Sequence, residues 1–147
     1  MEDLPALMPP GQGTGGMTNV LLTGGEGERR FAVIERCTRR EQVVSCHIHA
    51  HEDEIVYVLT GRVLVQIGEA CQSYGPGECI FLPRGYEHAI GAESDEARLL
   101  TIALPAGIEE YYRELDATPA EAENEIERQI ALAARYGVTI TGPAFRH

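Results

Sequence analysis

The sequence predicts an all-β sandwich or barrel followed by a helical tail, and three observations carry that prediction. Over residues 31–104, eight short runs of β-branched and aliphatic residues alternate with turn chemistry, the pattern of antiparallel sandwiches and barrels. The breaks are explicit at Thr60-Gly61, Gly75-Pro76-Gly77 and Pro83-Arg84-Gly85, all of them turn-forming combinations. Beyond Pro105 the apolar period changes from 2 to 3.6, the mark of helices.

In chain order, residues 1–18 read as an N-terminal arm. Pro5, Pro9, Pro10, Gly11, Gly13, Gly15 and Gly16 exclude a regular element there. Strands are expected over residues 31–37, 43–49, 55–59, 62–67, 71–74, 78–82, 88–91 and 98–104, which make the barrel core. Residues 107–137 then carry the C-terminal helices, beginning with a short one over 107–115. Thr118-Pro119-Ala120-Glu121 forms a capping box with Pro at the first helical position. Ala122, Ile126, Ile130, Ala133 and Ala134 share one stripe of the helix that follows, which predicts a docked amphipathic helix. Gly137 is its expected C-terminal cap, and residues 138–140 read as a returning strand. A chain of 147 residues fits a single domain spanning 1–147.

Composition removes several function classes. The 23 acidic residues outnumber the 12 basic ones for a formal net charge of −11, and every basic residue is Arg. Without Lys neither Schiff-base catalysis nor a phosphate-binding P-loop is available. An acidic chain lacks the basic patch that nucleic acids and anionic lipid surfaces demand, so neither partner is expected. No apolar run approaches a membrane span, and the acidic start Met1-Glu2-Asp3 is unlike a signal peptide; a cytoplasmic address is expected. The four cysteines, Cys37, Cys46, Cys71 and Cys79, show no C-x-x-C spacing and read as reduced, buried packing residues.

Chemistry concentrates in Cys46-His47-Ile48-His49-Ala50-His51-Glu52-Asp53-Glu54. Alternate residues of a strand share a face, so His47 and His49 present two imidazoles about 7 Å apart along the backbone. Glu54 opens the next run, where a turn can return its carboxylate. His88 follows a strand and the Pro83-Arg84-Gly85 turn. Imidazoles with a carboxylate suit one divalent transition metal ion, whether Fe, Mn, Ni, Cu or Zn. A solvated His-rich edge strand is the competing reading of the same spacing.

At these residues the sequence resembles the cupin superfamily. Its first motif appears as His47-x-His49, four residues, Glu54, six residues, Gly61; its second as Gly77, five residues, Pro83-x-Gly85, two residues, His88. The opening Gly of the first motif is replaced by Glu41 and the closing Asn of the second by Ala92. Within the family, the chain is similar to small single-domain bacterial quercetin-dioxygenase-like members. The resemblance implies a conical β-barrel, a double-stranded β-helix or jelly roll, with His47, His49, Glu54 and His88 as metal ligands facing its interior. It also implies a homodimer joined through sheet faces or exchanged terminal strands.

Around those residues, His51 is read as supporting a ligand or lining the rim, Tyr86 as lining the cavity mouth or capping the core, and Arg84 as a rim cation or a solvated one. Tyr57 has the opposite parity to Glu54 and is assigned to sheet packing or an interface. The expected activity is a metal-dependent dioxygenase acting on a small phenolic or enolic substrate, with Glu54 as ligand and proton acceptor. The alternatives are a non-oxidative isomerase or polyketide-type cyclase and a non-catalytic small-molecule-binding module.

Overall fold

The computed structural model describes residues 18–25, 28–42, 44–117 and 125–145. Ten strands and two helices occur among them: β1 (Thr18–Leu22), β2 (Ala32–Arg39), β3 (Ser45–His49), β4 (Asp53–Thr60), β5 (Val63–Ile67), β6 (Ala70–Tyr74), β7 (Cys79–Leu82), β8 (His88–Ala92), β9 (Glu96–Leu104), α1 (Ile108–Ala117), α2 (Glu125–Arg135) and β10 (Val138–Pro143). Two five-stranded antiparallel sheets result, ordered β1-β2-β9-β4-β7 and β10-β3-β8-β5-β6. Their inner faces close a jelly-roll barrel.

Strand alternation builds that interior directly. Along β9, Ala97, Leu99, Thr101 and Ala103 are buried while their neighbours are not, and β4 buries Glu54, Val56 and Val58 in the same rhythm. Val56, Val58, Val63, Val65, Ile80, Leu82, Ala97 and Leu99 pack into one core cluster. The polar residues Glu54, His49 and His88 are buried with them. A second cluster joins Ile34 and Ala103 of the barrel to Ile108 and Tyr112 of α1, Ala133 of α2 and Val138 of β10. The helical tail therefore shares the barrel's core.

Gly61 shows why the β4–β5 turn needs glycine. Its φ is +78°, and a Cβ there would lie 2.2 Å from the Glu96 carbonyl oxygen. Both the left-handed backbone and the close approach to another main chain exclude a side chain.

Several expectations change. β1 and β10 extend the barrel beyond the 31–104 core, because each pairs along a sheet edge, β1 with β2 and β10 with β3. Thr18 opens β1, and the rest of the 1–18 arm lies outside the described residues, as does the capping box at 118–121. The predicted α2 stripe is corrected: Ile126 and Ile130 are 74% and 43% exposed and Ala134 is exposed, while Leu132 and Ala133 are buried. Ile130 and Ala134 lie in the same last turns as Leu132 and Ala133, so α2 leaves through Gly137 (φ +74°) into β10 with the Leu132-Ala133 side turned inward and Ile126, Ile130 and Ala134 of the predicted stripe rotated off it. Cys46 is buried, but Cys71 and Cys79 are exposed, because both sit at outward positions of β6 and β7. Tyr57 also faces outward, 42% exposed.

Candidate functional site

His47 and His49 share a face of β3, as strand alternation requires. Antiparallel pairing places His47 directly opposite His88 of β8. The ring centroids stand 5.0 Å apart for His47 and His49, 4.5 Å for His47 and His88, and 5.3 Å for His49 and His88. One ring nitrogen from each lies within 4.8 Å of the others, an arrangement compatible with a metal site. Glu54 arrives from β4 in the facing sheet, with Oε1 3.4 Å from His49 Nε2.

The loops that present these strands are tied together. Gly85 N–H donates to the His49 carbonyl at 2.8 Å, so the turn leading to His88 is anchored on the strand that carries His49. Arg84 N–H donates to Asp53 Oδ1 at 2.9 Å, and its guanidinium grips both oxygens of the same carboxylate at 3.2 and 3.1 Å. Arg84 thus pairs with Asp53 at the rim, lowering that carboxyl's pKa. Tyr86 projects outward, 61% exposed. His51 is exposed as well and lies over Gly137, where an added Cβ would meet its Cδ2 at 2.5 Å. It stands apart from the three converging imidazoles.

Each histidine has a distinct electrostatic setting. His47 Nδ1 lies 3.1 Å from the Ser45 carbonyl. A carbonyl oxygen only accepts, so the ring donates there and a neutral His47 keeps its lone pair on Nε2. Burial, followed by the neighbouring His88 and His49, pushes the His47 pKa down to about 3. Burial also lowers His88, partly offset by Glu54. For His49 burial again works against the charged form, but the adjacent carboxylates of Glu52 and Glu54, each 3.4 Å from one of its ring nitrogens, outweigh it and raise its pKa.

Two residues of the site had no functional reading in the sequence. Glu52 is 5% exposed, with Oε2 3.4 Å from His49 Nδ1, on the opposite side of the ring from Glu54. It lies in the irregular link between β3 and β4, where no periodicity reports which way a side chain points. Arg36 follows Ala32 and Ile34 on the inward side of β2, its Cζ 4.3 Å from the Tyr112 ring centroid. The alternation Ala32, Ile34, Arg36 was a readable signal for it.

A cleft of about 640 Å³ lies elsewhere, lined by residues including Cys46, Cys71, Glu69 and Glu87 and by none of the three histidines.

Residues 39–103 match the family model described as a cupin domain. No curated protein matches the sequence significantly. Among solved structures, KdgF from a Halomonas species is 17% identical, with a TM-score of 0.57 over 63% of this chain and 81% of its own. A Klebsiella pneumoniae protein with a double-stranded β-helix domain is 14% identical, with a TM-score of 0.54 over 65% and 83%. The EutQ protein of Clostridium difficile is 27% identical, with a TM-score of 0.51 over 60% and 61%.

Proposed function

Because this chain belongs to the cupin superfamily, carrying its domain over residues 39–103, we propose that it is a metal-dependent enzyme acting on a small organic substrate. His47, His49, His88 and Glu54 hold one divalent transition metal ion in this reading. The observation that supports it most is the convergence of one ring nitrogen from each of His47, His49 and His88, beside buried polar atoms without hydrogen-bond partners: His49 Nδ1 and Nε2, Glu52 Oε2, Glu54 Oε1 and His88 Nδ1. Buried polar groups are normally paired. Orphaned atoms on two of the three converging imidazoles and on the carboxylates beside them fit a cation that takes nitrogen and oxygen ligands.

When bound there, Fe, Mn, Ni or Cu would supply redox chemistry and Zn Lewis-acid polarisation. The chain's own residues do the rest. The Ser45 carbonyl holds the His47 tautomer, Glu52 orients His49, and the Gly85-to-His49 hydrogen bond positions the turn that carries His88. Glu54 accepts the proton that a phenolic or enolic substrate loses on binding. On this reading the protein is a dioxygenase cleaving such a substrate. A second reading is non-oxidative isomerisation or cyclisation. It is favoured by Glu52 and Glu54 flanking the two nitrogens of His49, an arrangement suited to moving protons without dioxygen.

Metal analysis of untagged protein tests the site, with about one equivalent expected and less than about 0.2 equivalent in the His47→Ala/His49→Ala variant. An empty wild-type protein would sink both readings. Oxygen uptake by Fe-, Mn-, Ni- and Co-loaded protein with flavonols and catechols separates them, since the isomerase reading predicts turnover without oxygen loss. Glu54→Gln should retain substrate binding while losing turnover if the carboxylate moves protons. Equal loss of both would leave it only a ligand.

A further inference from the structure

We propose that Arg36 is a carboxylate anchor and that the substrate of this barrel is a small organic acid. The proposal deepens the reading above and rests on it for the location of the site, but binding of the acid can be measured with or without metal.

The placement comes from β2. Ala32 and Ile34 are fully buried on its inward side, and Arg36 takes the next inward position, paired in register with the buried Leu99. A guanidinium here stands on an otherwise apolar wall. Its Nε is buried without a hydrogen-bond partner, and among the described residues no carboxylate lies within ion-pair distance of it. Shortage of acids is not the cause, since the chain has 23. Arg39, Arg84 and Arg98 each meet a carboxylate.

Arg36 is half-buried, and the part of its guanidinium that is taken out of water, at Nε, has no counter-ion, which is costly. The face of Tyr112 offsets only part of that cost, while holding the guanidinium plane in a set orientation. The fork of donors left open matches a carboxylate, which it can bind through two parallel hydrogen bonds. Arg36 and His47 are both partly exposed. The charge of Arg36 lowers the pKa values of His47 and His49, which places it within electrostatic reach of the histidine cluster. Glu52 and Glu54 sit against His49 and repel an anionic group, leaving the Arg36 side as its favoured position.

The test is calorimetric titration of the full chain with benzoate, pyruvate and malonate against benzamide, pyruvamide and malonamide, on metal-loaded and metal-stripped protein. At least one acid should bind at least about tenfold tighter than its amide, and Arg36→Met should remove that preference. Arg36→Lys, which keeps the charge but not the fork, should bind the acid with intermediate affinity. Without ligand, Arg36→Met should melt at or above the wild-type temperature, because it removes an uncompensated charge. Equal binding of acids and amides, failure of every acid to bind, or an unchanged preference in Arg36→Met overturns the proposal. So does a lower ligand-free melting temperature in Arg36→Met that Arg36→Lys restores, since that marks a structural cation. Acid selectivity in a protein that takes up no metal would sink the metal-dependent reading and leave the anchor standing; full metal loading without selectivity would do the reverse.

Discussion

His47 and His49 lie two residues apart on one strand face, yet the fold drives their acidities in opposite directions. Burial and two neighbouring imidazoles hold His47 down to about 3, whereas Glu52 and Glu54 raise His49 despite its burial. The consequence for stability has a definite sign. A histidine whose folded pKa lies below the unfolded value of about 6.5 takes up its proton more readily in the unfolded chain, so acidification favours unfolding. The His47 contribution is therefore intact above about pH 6.5 and is lost progressively as pH falls toward 3. His49 acts with the opposite sign, its contribution being lost as pH rises. Comparing variants isolates the first effect: metal-free wild type should lose more melting temperature between pH 7 and pH 4.5 than His47→Asn, and parallel curves would refute the assignment. At this scale the sequence was informative about which imidazoles meet, since parity and spacing specify faces. It was silent about Glu52, whose orientation is set by a turn.

Elements explain how four side chains from three strands reach one place. β3 supplies two histidines by alternation, β8 supplies the third by pairing with β3, and β4 supplies Glu54 from the facing sheet. Short connections make the geometry rigid. The turn at Gly61 is the most sensitive, because it packs against the main chain at Glu96 and Ala97. Gly61→Ala should destabilise the protein by about 3 kcal/mol or more, combining strained φ with a main-chain clash. That corresponds to a fall of roughly 6–12 °C in melting temperature for a domain of this size, measurable by calorimetry. Gly68→Ala is the control, since it shares a positive φ of 58° but meets nothing within 4 Å; its cost should be clearly smaller. Strand positions were legible because turn residues mark them. The buried side of α2 was not, because its packing against the rest of the fold, and not its own periodicity, decides which face turns inward.

For the whole molecule, the outer face of the β2-β9-β4-β7 region is unusually apolar. Phe81, Ile55, Ile102 and Val33 line up across four strands, and the next row runs Cys79, Tyr57, Leu100 and Glu35, the last paired with Arg98. Sheets exposed on one face normally carry polar residues there. With a net charge of −11, two copies repel over most of their surfaces, and an apolar row bordered by the self-neutralised Glu35–Arg98 pair can pair with itself about a two-fold axis. We infer that the expected homodimer uses this face. Sedimentation velocity should find a dimer at micromolar concentration and a monomer for Tyr57→Glu/Phe81→Glu with unchanged metal content; a wild-type monomer, or a variant that still dimerises, would refute it. Among the described residues, no helix is long and apolar enough to cross a membrane.

The sequence by itself determined the β architecture, the helical tail and the identities of the three clustered histidines. All of these depend on local periodicity, turn chemistry and spacing, which a linear chain records. Only the tertiary structure decided that Arg84 pairs with Asp53, that the Glu52 carboxylate meets His49, and that the inward-facing Arg36 has no ion-pair partner among the described residues. Those facts depend on how an irregular turn sets the Glu52 side chain and on which distant segments come together, and neither is encoded in a local periodicity.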